Sequence, residues 1–165
     1  MTIIVEDGTV VANANSYISL VDAQSLADNL GYDTVTLTED DVIKGMREVH
    51  KYSMQFKGTR VNADQSVLAD FPRNDVWKYG NLVANDSIPD ELKQAQVEAA
   101  ISINGGTVSF GVDDGKKVAS EAVSGAVSIS YFDNGSSSSG SQRVEATYQT
   151  LQPLLNNSGA MRLIR

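Results

Sequence analysis

Apolar positions along the chain fall into four stretches of helical spacing, separated by segments that have none. Residues 20–30 place Leu20, Ala23, Leu26, Ala27 and Leu30 on one face, the repeat at which side chains of an α-helix line up. Ser19 is placed to cap this helix with Asp22 three residues on, and Gly31 closes it where a positive φ is commonly needed. In residues 38–56, Val42, Ile43, Met46, Val49 and Phe56 recur with Ser53 keeping the register, and Gly58 supplies the stop. Thr38-Glu39-Asp40-Asp41 reads as the start of this second helix: a hydroxyl that can accept from an orphan amide, and three carboxylates at the positive end of the helix dipole. A third pattern covers residues 87–103, where Pro89 fits the first turn because its missing amide hydrogen would have no partner there. Leu92, Ala95, Ala99 and Ile103 make a narrow stripe that predicts close approach of a neighbouring helix. The fourth, residues 143–155, carries Val144, Tyr148, Leu151 and Leu155, with Pro153 ending or kinking the helix before Leu155.

The intervening segments read differently. Residues 57–84 hold turn residues and no helical period, and a loop that long is uncommon inside a compact domain. The expectation is an ordered loop packed by its own aromatics, Phe71, Trp77 and Tyr79. Residues 2–11 alternate weakly around Asp7-Gly8 and predict a short strand or small hairpin. Asn104-Gly105-Gly106 ends the third helix, and residues 107–117, rich in Gly and Asp, read as a flexible excursion. Val127, Ile129 and Tyr131 then alternate with Ser128 and Ser130, with Val118, Ala122 and Val123 as the facing strand and Ser124-Gly125 at the turn. Residues 136–141 have the Ser/Gly composition of a flexible linker. The predicted fold is mainly α: a small helical bundle with an inserted β-hairpin at about 117–131 and an extended C-terminal arm. Residues 1–132 form the helical domain, 133–142 the linker, and 143–165 the C-terminal helix and docking arm.

Composition narrows the function more than the fold. A chain of 165 residues can bury a core without covalent staples, and the absence of cysteine excludes disulfides and thiolate metal sites. The net charge of −8 argues against a general nucleic-acid coat, whose affinity comes from neutralised phosphates, while leaving room for a local basic patch. No apolar run approaches the roughly 20 residues that span a bilayer, so no membrane partner is expected. The first seven residues lack the basic start of a signal peptide, which points to synthesis in a cytoplasm.

Candidate chemistry is sparse. His50 is the only histidine, which rules out a histidine dyad and points to a structural or surface role. Asp113-Asp114-Gly115 lacks the alternating ligands and later glutamate of a calcium loop. Asn104-Gly105-Gly106 follows a helix rather than opening one, so it is no phosphate cradle. No motif sets a general base beside any serine; no enzyme, cofactor or metal is expected. One region interleaves cations with aromatics as single-strand stacking platforms do: Lys51, Tyr52, Phe56, Lys57, Arg60, Phe71, Arg73, Trp77, Lys78 and Tyr79. In the preferred reading Phe56, Phe71 and Trp77 are core and the cations a solvated rim. In the alternative, Lys57, Arg60, Arg73, Trp77 and Lys78 contact nucleic acid. The C-terminal arm is apolar and basic, with no acidic residue after Glu145. It suits docking on a neighbouring subunit, through Tyr148, Leu151, Leu154, Leu155, Met161, Arg162, Leu163, Ile164 and Arg165.

Taken in order, Asn15-Ser16-Tyr17-Ile18-Ser19-Leu20, Phe56-Lys57-Gly58-Thr59-Arg60-Val61, Asp70-Phe71-Pro72-Arg73, Ile88-Pro89-Asp90-Glu91-Leu92-Lys93-Gln94-Ala95-Gln96 and the 117–131 strand region resemble a family of tailed-bacteriophage head-tail connector or adaptor proteins. Members are often labelled DnaT-like single-strand DNA-binding proteins. The resemblance spans about residues 13–155, although the 104–115 excursion and the 136–141 linker are longer and more polar than the family pattern. It implies a non-enzymatic virion protein, made in the bacterial cytoplasm and located at the head-tail junction. Such a protein forms a ring of twelve copies beneath the portal and joins it to tail, tail-terminator or nozzle proteins, with Val127, Ile129 and Tyr131 of the hairpin touching a neighbour. DNA would pass through the lumen without specific binding, repelled by acidic walls. The competing function is a single-strand DNA-binding accessory protein.

Overall fold

The computed structural model describes residues 2–32, 37–61, 68–105, 117–123, 127–132 and 145–156. Among them the chain is mainly α, with a small antiparallel β part. Helix α1 spans Leu20–Asn29, where the Ser19 hydroxyl accepts from the Asp22 amide at 3.1 Å and donates to the Asp22 carboxylate at 2.6 Å. Helix α2 spans Glu39–His50 and starts in a capping box: the Thr38 hydroxyl accepts from the Asp41 amide, and the Asp41 carboxylate accepts from the Thr38 amide at 3.0 Å. These two starts match the expectation because capping is local.

The second helix is shorter than its periodicity suggests. It ends at His50, and the chain tightens into a 3-10 turn at Ser53–Gln55, so that Phe56 is buried on extended backbone instead of a last helical turn. Helix α3, Asp90–Asn104, likewise begins three residues later than the pattern, after Pro89, with Asp90 and Glu91 in its first turn.

Helices α2 and α3 pack against each other. They approach closely at Gly45, where a β-carbon would overlap the Gln96 carbonyl oxygen. Ala95, Ala99 and Ala100 supply the small face. Gln96 is itself buried and fully used: its oxygen accepts from the Tyr17 amide at 2.9 Å, and its nitrogen donates to the Ser16 hydroxyl at 2.7 Å and the Val42 carbonyl at 2.9 Å. One side chain thereby joins α3 to α2 and to the segment before α1.

Helix α4, Glu145–Leu151, followed by a 3-10 turn at Gln152–Leu154, lies against the other side of α3. The Thr147 hydroxyl donates to the Ala95 carbonyl at 3.3 Å and the Thr150 hydroxyl to the Glu98 carboxylate at 2.7 Å. The main core joins Tyr17, Met46, Val49, Tyr52, Phe56, Phe71, Val76, Leu92, Leu151, Leu154 and Leu155. A smaller cluster of Ile18, Ala23, Ala27, Leu37, Val42, Val97 and Ala100 sits under α1.

Residues 2–11 do not form the expected strand or hairpin. A single parallel bridge joins Val5 to Ser16, and the chain wraps around the buried Glu6, whose carboxylate accepts from the amides of Gly8, Val10 and Val11 at 2.8–3.0 Å. Among its described residues, the 57–84 region contains two short hairpins. Strand β1, Thr59–Arg60, pairs with β2, Arg73–Asn74; β3, Trp77–Lys78, pairs with β4, Asn81–Leu82. Further on, β5, Lys117–Val123, pairs with β6, Val127–Phe132, antiparallel and with a register shift between Val118 and Ser120. This is the hairpin read from the Val/Ile/Tyr alternation. The 107–116 excursion and the 136–141 linker lie outside the described residues.

Candidate functional site

The β3–β4 hairpin stands out by what it exposes. Tyr79 (φ 50°) and Gly80 (φ 83°) form its two-residue turn, both in the left-handed region that matches strand twist in tight hairpins. The Val83 amide donates to the Val76 carbonyl at 2.9 Å, and Trp77 faces Leu82 across the ladder. Alternation then sorts the side chains. Val76 is buried, whereas Trp77 and Leu82 share the outer face, 55% and 57% exposed, and Tyr79 at the tip is 79% exposed. The expectation that Trp77 and Tyr79 pack the loop is therefore corrected. Of the three aromatics only Phe71 is core, edge-on to Phe56 at 5.2 Å.

The cations beside this hairpin are largely engaged. Arg73 is buried, its guanidinium 5.9 Å from the ring centres of both Phe56 and Phe71. It donates to the carbonyls of Lys57 at 2.8 Å and Gly58 at 2.7 Å. Burial holds its pKa below the usual arginine value. Arg60 pairs with the buried Asp70 carboxylate and donates to the Ser53 hydroxyl at 2.9 Å. Lys78 pairs with Glu91 at 2.9 Å. Lys57 differs: its ammonium donates to the carbonyls of Trp77 at 3.1 Å and Pro153 at 2.7 Å, neutral partners that leave its charge in place at the foot of β3. Of the five residues assigned to nucleic-acid contact, Lys57, Trp77 and Lys78 lie together on or under the hairpin, while Arg60 and Arg73 serve the interior.

Asp70 organises a second cluster that sequence reading missed. Its carboxylate accepts from the Ser53 hydroxyl at 2.5 Å, contacts His50 Nδ1 at 2.8 Å and holds Arg60. Its amide donates to the buried Tyr17 hydroxyl at 2.7 Å. Burial alone would raise the Asp70 pKa, but hydrogen bonds from His50 and Ser53 and the Arg60 charge outweigh it, and the carboxyl is held below its ordinary value. The bond to Asp70 raises the His50 pKa against partial burial. Burial and the nearby Asp70 charge push the Tyr17 phenol well up. His50 and Ser53 both bond to Asp70 rather than to each other, and the cluster ties the loop to α2.

The arm residues divide in two. Tyr148 stacks on Tyr52 with ring centres 5.9 Å apart, and Leu151, Leu154 and Leu155 are buried in the chain's own core. Leu151, Leu154 and Leu155, expected to face a portal or neighbour, are instead taken up in the chain's own core, with Tyr148 half-buried at its edge. Met161, Arg162, Leu163, Ile164 and Arg165 lie outside the described residues. For Val127, Ile129 and Tyr131 the structure describes only strand pairing, opposite Val123, Glu121 and Val118.

A cleft of about 510 Å³ lies between the N-terminal segment and residues 86–88, rimmed by Asp7, Asp22, Asp86 and Lys93. Among the described residues no three His, Cys, Asp or Glu side chains are placed to hold a metal ion, and no helix is long and apolar enough to cross a membrane. Trp77, Tyr79 and Leu82 of the β3–β4 hairpin are exposed, and Lys57 reaches the Trp77 carbonyl at its foot. A family model described as "Putative DnaT-like ssDNA binding protein" matches residues 1–165. The chain belongs to this family. No curated protein and no solved structure matches it. Within the DnaT-like family the hairpin is this chain's most exposed group of aromatic side chains among the described residues.

Proposed function

We propose that this DnaT-like protein binds single-stranded DNA by stacking bases on Trp77 and Tyr79, with Lys57 supplying charge at the base of the platform. The observation that carries the reading is the exposed pair Trp77, on β3, and Tyr79, at the turn of the same hairpin; family membership supports it. Stacking suits this surface better than a charged groove would. Base–aromatic stacking contributes about 1–3 kcal/mol per base, whereas a chain of net charge −8 that has committed Arg60 and Arg73 to its interior gains little from phosphates. Binding is therefore weak and nearly indifferent to sequence. With one or two phosphate contacts, from Lys57 and Lys78, the log–log salt slope is shallow, about −0.7 to −1.4.

The test is titration of oligothymidine at low salt, following quenching of Trp77, the single tryptophan. The expected result is saturable quenching with that shallow slope, and loss of roughly 5- to 150-fold in affinity for Trp77→Ala. Absence of binding at low salt would overturn the proposal. It would turn attention to a second reading, a head-tail connector in which the same hairpin docks on protein. Exposed Trp and Tyr are the residues that dominate protein interfaces, and the acidic net charge favours that reading. Ring formation of the mixture with a portal protein, read as mass by light scattering, tests it.

A further inference from the structure

We propose that Glu91 sets how much positive charge the β3–β4 hairpin presents to a DNA strand, by holding Lys78 away from the phosphates. The inference rests on the single-strand reading above and adds a regulating contact to that same site. Lys78 lies in the chain between the two exposed aromatics, Trp77 and Tyr79. Alternation gives its side chain the face of the buried Val76, opposite that of Trp77. On that side the ammonium meets the start of α3, where both carboxylate oxygens of Glu91 accept from it, at 2.9 and 3.1 Å. The contrast with Lys57 is the decisive point. Lys57 is held by the carbonyls of Trp77 and Pro153, which are neutral, whereas Lys78 is held by a full negative charge. The hairpin thus carries one lysine whose charge a phosphate can use at once and one whose charge is already answered.

The Glu91 contact is of a kind that exchanges. Glu91 stands in the first turn of α3, where the helix dipole favours a carboxylate with or without a lysine beside it. Both side chains keep part of their surface in water, and a solvent-accessible pair shifts an equilibrium by about fivefold at most. Lysine is a point charge on a flexible stem, so an ammonium released from α3 can turn to a phosphate next to bases stacked on Trp77 and Tyr79. Glu91 is on this view a positioning residue that acts through Lys78, and its removal strengthens binding.

Oligothymidine titrations followed by Trp77 quenching, repeated over a salt series, compare the intact chain with Glu91→Gln. The expected result is a gain of about two- to fivefold in low-salt affinity, with a log–log slope steeper by about 0.7, the increment of one further phosphate contact on a single strand. Adding Lys78→Ala to Glu91→Gln should remove both changes. Asp90→Asn deletes the same charge one residue away, from an exposed carboxylate that lies 3.7 Å from Lys93, and should keep the slope of the intact chain. Binding by Glu91→Gln with unchanged slope, at equal or lower affinity, would overturn the proposal while the single-strand reading stands, and would leave the pair a brace between hairpin and α3. An equal change of slope in Asp90→Asn would also overturn it, by reducing the effect to net charge. Absence of quenching in every variant would overturn the single-strand reading and this inference together.

Discussion

At the scale of single residues, Asp70 carries the sharpest consequence. Its carboxylate is buried with partners from three places in the chain, His50, Ser53 and Arg60, which lie 20, 17 and 10 residues away. No local pattern could have announced it, because each partner lies beyond helical or strand spacing. The bland expectation for His50 was a structural or surface role, and its bond to Asp70 agrees with the structural one. Because Asp70 raises the His50 pKa above its ordinary 6.5, the folded state binds the imidazole proton more tightly than the unfolded state does. That stabilisation is complete below pH 6.5 and is lost as pH rises through the raised folded value. The denaturant midpoint should accordingly fall on going above pH 6.5, in step with the single histidine signal in a proton NMR titration. Asp70 works at the opposite end. Its pKa is depressed below 3.8, so its contribution is present above 3.8 and is lost only in acid below it. Asp70→Asn leaves Arg60 beside a neutral amide and is expected to cost about 3–5 kcal/mol in urea unfolding. The same variant should lower the His50 pKa, and an unchanged His50 titration would contradict the assignment.

Among the secondary-structure elements, the side-chain-capped starts of α1 and α2 were legible and the short hairpins were not. Ser19 with Asp22 and Thr38 with Asp41 act over one turn, so residue type and spacing suffice to find them. Strands β1 to β4 have two residues each and no period to detect. The signal for β3–β4 was Tyr79-Gly80-Asn81, a turn whose first residue must accept a positive φ that tyrosine rarely adopts. Gly58 shows how tightly the region is built. It has φ 69°, and a β-carbon there would overlap the Asn74 carbonyl oxygen. Gly31 has φ 83° with nothing within 4 Å of the same position. Comparing Gly58→Ala with Gly31→Ala therefore separates backbone strain from steric overlap. Gly31→Ala should cost only the left-handed penalty, about 1–2 kcal/mol. Gly58→Ala should lose roughly a further 1–3 kcal/mol through displacement of β2, measured as the difference in urea unfolding free energy. Equal costs would mean that the hairpin yields without resistance.

Across the whole molecule, the C-terminal segment is where sequence and structure part most. Its apolar residues read as an arm because helical spacing and a Ser/Gly linker do not say which surface a helix meets. Packing decides that, and α3 presents Ala95 and Glu98 to receive Thr147 and Thr150. Among the described residues the core consequently includes Leu151, Leu154 and Leu155 of this segment. Two truncations test this. A chain ending at Leu151 loses Leu154 and Leu155, both buried, together with the carbonyls that hold Lys57 at Pro153 and the Lys57 amide at Leu154. Large-to-small changes at such positions cost about 2–5 kcal/mol each, and a domain of this size has only about 5–15 kcal/mol in total. Cooperative thermal unfolding, followed by circular dichroism, is expected to disappear or shift far down. A chain ending at Asn156 keeps every one of these contacts, and its unfolding midpoint should stay close to that of the intact protein. A substitution milder than truncation gives the same reading: Leu154→Ala should lower stability by the cavity cost even in the isolated chain. If Leu154→Ala left the isolated chain unaffected, the residue would belong to an outward-facing arm after all, and the core would end before the 3-10 turn at Gln152–Leu154.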